Sequence, residues 1–134
     1  MLVLDSSAAL AWALGDERGL EVELLELLAE EPAIVPVHWI LEVTNGLQMA
    51  MRRRRLKPHE PAEVLARIRT LPIRVDSETA VRGWQEIPEL AEKFNLTTYD
   101  VAYLELAMRL NAPLATLDQY LARAARAAKV ALFQ

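Results

Sequence analysis

Short apolar runs separated by helical patterns limit this chain to one class of fold. Each run is only three to five residues long and rich in strand-forming side chains, and a longer segment with helical spacing lies between every pair. Strands joined by helices pair in parallel, with helices on both faces of the sheet. The predicted strands are residues 2–4, 33–35, 73–75, 113–117 and 130–133.

Helical spacing of leucine, valine and isoleucine predicts the segments between the strands. Pro32 and Pro36 bound the second strand, and we expect Pro88 to interrupt the helix that begins at Ser77. Thr97 or Thr98 is expected to cap the next helix. The predicted helices are 8–14, 17–30, 37–55, 58–70, 77–94 with its interruption, 98–110 and 119–128.

Composition narrows the possible chemistry. The 134 residues suffice for one domain with a full core, and 53% of them are hydrophobic. Cysteine is absent and histidine occurs twice, which excludes thiol catalysis and a histidine-rich metal site. A net charge of −4 mildly opposes nucleic-acid binding by bulk electrostatics. With no signal peptide or apolar stretch long enough to span a bilayer, the expectation is a soluble, cytoplasmic protein.

Two of the apolar runs stop on a carboxylate. Asp5 ends the first, and Asp118 follows the run that ends at Thr116-Leu117. If these strands are adjacent and parallel, both side chains point into the crevice at the carboxyl edge of the sheet, where open α/β sheets bind ligands. Two carboxylates brought together in this way usually need a cation.

Two further acids lie on predicted helices. Glu42 is flanked by apolar residues in Trp39-Ile-Leu-Glu-Val43, and Asp100 lies in the first turn after Thr97. Each acid alone also has a structural explanation. Asp5 and Asp118 could be helix N-caps, Asp100 could belong to a capping box, and Glu42 could face solvent. The functional interpretation depends on the four together.

The residues around these acids resemble PIN-domain ribonucleases of the VapC toxin type. The matching segments cover the chain from end to end in the family's order, and the first and third are the most specific. They are Val3-Leu-Asp5-Ser6-Ser7, Glu42-Val-Thr-Asn45, Leu96-Thr-Thr-Tyr99-Asp100-Val-Ala-Tyr103 and Leu114-Ala-Thr116-Leu-Asp118.

The resemblance implies a three-layer α/β/α sandwich and a metal-dependent endoribonuclease that uses Mg²⁺ or Mn²⁺. Its acidic site would be Asp5, Glu42, Asp100 and Asp118, with Ser6 and Thr116 as supporting hydroxyls. Asp5 and Asp100 would be the principal metal ligands and Asp118 a direct or water-mediated ligand. Glu42 would share a metal or position the nucleophile. The implied partners are RNA, a second copy of the chain and a cognate antitoxin that covers the site.

Other functional classes fit the sequence less well. A haloacid-dehalogenase-type phosphatase needs a second aspartate two residues after the first, where this chain has Ser7. A response-regulator-like domain needs an acidic pair near the first strand and a late lysine. A non-catalytic RNA- or protein-binding module on the same fold would be expected to have lost at least one of the four acids.

Two features stay open on sequence alone. The run Arg52–Arg55 is expected to be a solvated helix end, with an RNA phosphate contact as the alternative. Trp12, Trp39 and Trp84 are expected in the core or an interface rather than stacked on bases, and His38 is expected to be structural.

Overall fold

A computed structural model describes residues 1–15 and 18–133, with the backbone alone described for residues 18–21. Its helices and strands follow the predicted alternation. In chain order they are β1 (Leu2–Leu4), α1 (Ser6–Leu14), α2 (Arg18–Glu30), β2 (Ala33–Val35), α3 (Trp39–Arg52), α4 (Glu60–Ile68), β3 (Ile73–Val75), α5 (Thr79–Arg82), α6 (Glu86–Phe94), α7 (Thr98–Leu110), β4 (Leu114–Ala115) and α8 (Gln119–Ala127).

The four strands form one parallel sheet in the order β3-β2-β1-β4. The chain moves outward from β1 to β3 and then returns past β1 to reach β4. Because parallel crossovers are right-handed, the helices of the outward and the return connections lie on opposite faces of the sheet. The α/β/α sandwich is therefore confirmed, with β1 and β4 at the point where the direction of winding reverses.

The core is built where the two helical groups cover the central strands. β1 and β2 are buried along their whole length, because apolar residues cover both of their faces. On one side α1 contacts α2, α3 and α4, and on the other α7 contacts α6, α8, β1 and β4. The edge strand β3 is more exposed.

Three expectations about local structure need correction. The break between α5 and α6 falls at residues 83–85, and Pro88 lies inside the first turn of α6, where a proline is tolerated. The strand predicted at 113–117 shrinks to Leu114–Ala115. The strand predicted at 130–133 is reduced, within the described residues, to a single parallel bridge between Leu114 and Leu132.

The helix ends differ by a few residues from their predicted positions. α3 begins at Trp39 rather than residue 37 and ends at Arg52, and α4 is shorter at both ends. α1 extends back to Ser6. The break expected at Gly15-Asp16 and the helix start expected at Glu17 fall partly on residues outside the described ranges.

Candidate active site

Adjacent parallel strands bring Asp5 and Asp118 to the same edge of the sheet. Val3 pairs with Leu114 and Leu4 with Ala115, so β1 and β4 end side by side. The backbone N–H of Asp5 donates to the carbonyl of Ala115 at 3.0 Å. The site therefore forms where ligands bind to open α/β sheets.

Asp5 is held by hydroxyl groups from both strand ends. Its side chain is buried, and its Oδ2 accepts hydrogen bonds from Ser7 Oγ at 2.7 Å and Thr116 Oγ1 at 2.6 Å. Ser6 Oγ donates to Oδ1 at 3.3 Å. Asp5 occupies the N-cap position of α1 but makes no side-chain capping bond. Its carboxylate is thus held by hydroxyl groups and does not cap α1.

Asp118 does cap a helix. Its Oδ1 accepts hydrogen bonds from the backbone N–H groups of Tyr120 at 2.8 Å and Leu121 at 3.0 Å. Its own N–H donates to Thr116 Oγ1 at 3.0 Å, which ties it to the hydroxyl that also holds Asp5. Within the described residues Oδ2 of Asp118 accepts no hydrogen bond. Asp118 is therefore a helix N-cap through one oxygen, as the alternative explanation expected, and its other oxygen is available to a ligand.

Glu42 projects from the first turn of α3 and is held by α7. The phenol of Tyr103 donates a hydrogen bond to Glu42 Oε1, and His38 Nε2 lies 3.7 Å from the same oxygen. His38 Nε2 is also 2.9 Å from the carbonyl oxygen of Tyr99, an acceptor only, so this nitrogen carries a proton. Tyr103 is fully buried, and burial together with Glu42 raises its pKa, so the phenol remains a donor.

Asp100 completes the group from the first turn of α7. Its N–H donates to the capping hydroxyl of Thr97 at 3.1 Å, so the expected N-terminal cap forms around it. Burial raises the pKa of the Asp100 carboxyl, and the charges of Asp118 and Asp5 raise it further against the opposing hydrogen bond from Thr97. The backbone of Asp100 therefore takes part in the helix cap, while its carboxylate shares a negative field with two other acids.

Electrostatic coupling connects all four carboxylates. Burial is the main cause of the raised pKa of Glu42, and Asp5 and Asp100 add to it, whereas Tyr103 and His38 oppose it. In the described part of the chain, none of the four carboxylates pairs with a lysine or arginine. Among the described residues, the site is therefore a concentration of negative charge with His38 beside it but with no lysine or arginine paired to it.

The donor set suits a hard divalent cation. Carboxylate and hydroxyl oxygens surround the crevice, and these are the ligands that Mg²⁺ and Mn²⁺ prefer. As the side chains stand, no group of three or more histidine, aspartate or glutamate residues within the described ranges is arranged closely enough to hold a metal ion. The residues fit the cation by donor type and charge, and the ligand set stays a prediction.

Three contributors to this arrangement were missed at the sequence level. Ser7 bridges the two strand ends by donating to Asp5 and accepting from the N–H of Leu117 at 3.0 Å. Tyr103 and His38 hold Glu42. Tyr103 follows Asp100 by three residues on one helix, so both lie on the same face. This spacing could have indicated that Tyr103 faces the acidic site.

The tryptophans and the arginine run have different surroundings. Trp12 and Trp39 are buried as expected, but Trp84 is 89% exposed and is not a core residue. Residues 52–55 are all exposed at the end of α3 opposite to Glu42, in agreement with a solvated helix end. Among the described residues, no helix is long and apolar enough to cross a membrane.

Comparison with known proteins agrees with the geometry. The family model described as "PIN domain" matches residues 2–127. Ribonuclease VapC12 of Mycobacterium tuberculosis is 32% identical over 127 residues, covering 92% of this chain and 91% of the relative. Ribonuclease VapC9 of the same species is 34% identical over 118 residues, covering 88% and 86%. Ribonuclease VapC3 of Pyrobaculum aerophilum is 30% identical over 121 residues, covering 90% and 92%.

A solved structure supports the fold independently. The crystal structure of PAE2754 from Pyrobaculum aerophilum superposes with a TM-score of 0.69 at 21% identity, covering 92% of this chain and 87% of that one. The parallel sheet, the acids at its switch point and these matches lead to one conclusion. The chain belongs to the PIN-domain family and, within it, to the VapC-type ribonucleases.

Proposed function

We propose that this chain is a metal-dependent endoribonuclease that hydrolyses RNA phosphodiester bonds as the toxin of a toxin–antitoxin pair. The observation that carries the proposal is the set of four electrostatically coupled carboxylates at the β1/β4 switch point, to which no lysine or arginine of the described ranges is paired. Its relatives named as ribonucleases support RNA as the substrate.

Asp5, Asp100 and Asp118 would hold Mg²⁺ or Mn²⁺. When bound, such a cation supplies an activated water and neutralises charge on the phosphoryl oxygens. The hydroxyls of Ser7 and Thr116 fix the Asp5 carboxylate, so that it does not have to be ordered on binding. Burial raises the pKa of Asp100, and repulsion from Asp118 and Asp5 adds to it; a bound cation would offset that repulsion, which favours binding.

Glu42 is assigned to orient the attacking water or accept its proton. A carboxylate with a raised pKa is a better base at neutral pH than a free one. Tyr103 and His38 engage Oε1, so the second oxygen remains available to the crevice. Ser6 and Thr116 are assigned a supporting role through Asp5.

The direct test is cleavage of single-stranded RNA in the presence of Mg²⁺ or Mn²⁺, repeated with a chelator. Asp5→Asn and Asp100→Asn should be inactive, whereas Glu26→Gln, which removes a charge from the exposed side of α2, should cleave like the parent. Activity that persists in the chelator, or in Asp100→Asn, would contradict the proposal.

We further propose two protein partners. Val37, Ile40 and Leu41 are exposed at the start of α3 beside Glu42, and Leu117 is exposed beside Asp118. Exposed apolar groups next to an active site suit a covering antitoxin peptide.

Other exposed apolar side chains, Trp84 among them, suit a homodimer, and sedimentation at micromolar concentration tests it. With RNA as substrate, the place of action would be the cytoplasm.

A further inference from the structure

A groove leads away from the acidic site between α8 and the turn that joins α6 to α7. It has a volume of about 300 Å³. One wall is a single face of α8, with Tyr120, Arg123 and two alanines, and the other is the end of α6 and its turn. The residues that line it are Lys93, Phe94, Asn95, Leu96, Tyr120, Arg123, Ala124 and Ala127.

Both walls of the groove begin at acids of the site. The α8 wall starts at Asp118, whose Oδ1 accepts from the N–H of Tyr120. The other wall leads from Leu96 directly into Thr97, whose hydroxyl caps the turn that carries Asp100. The groove therefore adjoins the site on two sides, through the start of α8 and through the turn before α7.

The groove carries positively charged side chains and an exposed aromatic ring. Lys93 and Arg123 are exposed cations on opposite walls, and Tyr120 is 70% exposed with the Arg123 guanidinium 5.7 Å from its ring centroid. The small side chains of Ala124 and Ala127 line the groove on the α8 side. Cations that follow a phosphate backbone, combined with an exposed aromatic ring, are how proteins bind single-stranded nucleic acid.

We propose that this groove is a subsite for the single-stranded RNA next to the scissile phosphate. Lys93 and Arg123 contact backbone phosphates, and Tyr120 stacks on one base. The subsite rests on the proposed ribonuclease function and adds to it the path of the substrate. The chain has a net charge of −4, which repels a polyanion. Lys93 and Arg123 would supply the local positive charge that RNA binding needs.

The position of the groove separates it from the Arg52–Arg55 run. Arg52 is ten residues after Glu42 on α3, which is about 15 Å along the helix axis. Tyr120 is two residues after Asp118, in the first turn of α8. The groove, and not the arginine run, is therefore next to the site of cleavage.

The test measures binding of a short single-stranded oligoribonucleotide that the parent chain cleaves, using Asp100→Asn throughout to prevent cleavage. Adding Lys93→Ala and Arg123→Ala together should weaken binding about tenfold. It should also reduce the slope of log affinity against log salt by about 1.4, because each lost phosphate contact on a single strand removes about 0.7. Tyr120→Ala should weaken binding about fivefold or more, and Tyr120→Phe should not, because the phenyl ring still stacks.

The matched control removes two arginines elsewhere. Arg52→Ala with Arg53→Ala makes the same change in net charge and should alter affinity by no more than about twofold, since salt screens charges that far from the RNA. Equal salt slopes for the groove variant and this control would overturn the subsite while leaving the ribonuclease function intact. A parent chain that neither cleaves nor binds RNA would overturn both.

Discussion

Two acidic clusters at strand ends in the described part of the molecule differ in how their charge is balanced: in one of them an arginine pairs with the carboxylates. The acidic site gathers Asp5, Glu42, Asp100 and Asp118 where β1 and β4 end. The second, here called the Arg109 cluster, consists of Asp76, Glu78, Glu105 and Arg109. Asp76 follows the apolar strand β3 just as Asp5 follows β1.

The Arg109 cluster is neutralised by a guanidinium. Arg109 binds both oxygens of Asp76, at 3.1 and 2.8 Å, and also contacts Glu78 Oε2 at 3.0 Å and Glu105 Oε1 at 2.8 Å. Burial raises the pKa of Asp76, but the bonds from Arg109 and Thr79 outweigh it, so the net pKa lies below the usual value. In the acidic site the pKa values of Glu42 and Asp100 move upward instead.

The difference shows that a strand ending on aspartate does not itself identify an active site. The carboxylates that pair with an arginine are stabilised in their charged form, whereas burial and mutual repulsion disfavour the charged form of those without a lysine or arginine, and a bound cation would offset this. Four perturbations test this distinction.

The largest effect is expected from Asp100→Asn. Changes to groups that merely support a metal ligand cost 10–100-fold, so loss of a ligand should reduce cleavage by about a hundredfold or more. The metal-free variant should be as stable as the parent or more stable by about 1 kcal/mol, the equivalent of less than one pKa unit of relieved repulsion. Mg²⁺ should raise the melting temperature of the parent and have much less effect on the variant. A variant that keeps both cleavage and the Mg²⁺ response would remove Asp100 from the site.

Arg109→Met should lower stability and leave cleavage unchanged, the opposite of Asp100→Asn. Removing the cation from a buried pair leaves carboxylates uncompensated, which costs about 3 kcal/mol or more. The measurement is the free energy of unfolding in urea, and metal-dependent cleavage by the folded fraction should be unchanged. Arg126→Met, an exposed position on α8, is the control and should change stability by less than about 0.5 kcal/mol. Equal stability of the two variants would mean that the Arg109 cluster contributes nothing to the fold.

Tyr103→Phe examines how Glu42 is held. The ring keeps its buried packing while Glu42 loses its phenol donor, so kcat should fall about tenfold, as for other partners that orient active-site groups. KM should change little, because Tyr103 is buried and does not meet RNA. A fall in stability with unchanged kcat would assign Tyr103 to the core alone.

Asp76→Asn should show the smallest effect, and one that depends on pH. Because the folded pKa of Asp76 is lowered, its contribution to stability is fully present above the unfolded value of about 3.8 and is lost as pH falls through the folded value. The variant should therefore be less stable than the parent at pH 7, by about 1.5 kcal/mol for a lost charged hydrogen bond, and the gap should close as the pH falls. A gap independent of pH would show that packing, not charge, accounts for the loss.

Much of the fold could be predicted because its signals are local. The strands Ala33–Val35 and Ile73–Val75 were predicted correctly, and Thr97, one of the two candidates, is the cap of α7. The strand expected at 130–133 was wrong because an apolar run says nothing about available pairing partners. The interruption expected at Pro88 was wrong, because N–H groups in the first helical turn have no intrahelical acceptor and a proline there removes no hydrogen bond.

The sequence by itself determined the alternation of elements, the parallel sheet and the residues that carry the family resemblance, because these depend on short-range spacing. Tertiary structure alone decided which strand-end aspartate receives an arginine, since Asp76 and Arg109 are 33 residues apart. It also decided that Asp118 uses one oxygen as a helix cap, that Tyr103 and His38 hold Glu42, and that Lys93 and Arg123 face one groove. These outcomes depend on how distant segments pack, and no local pattern encodes the distance between two side chains.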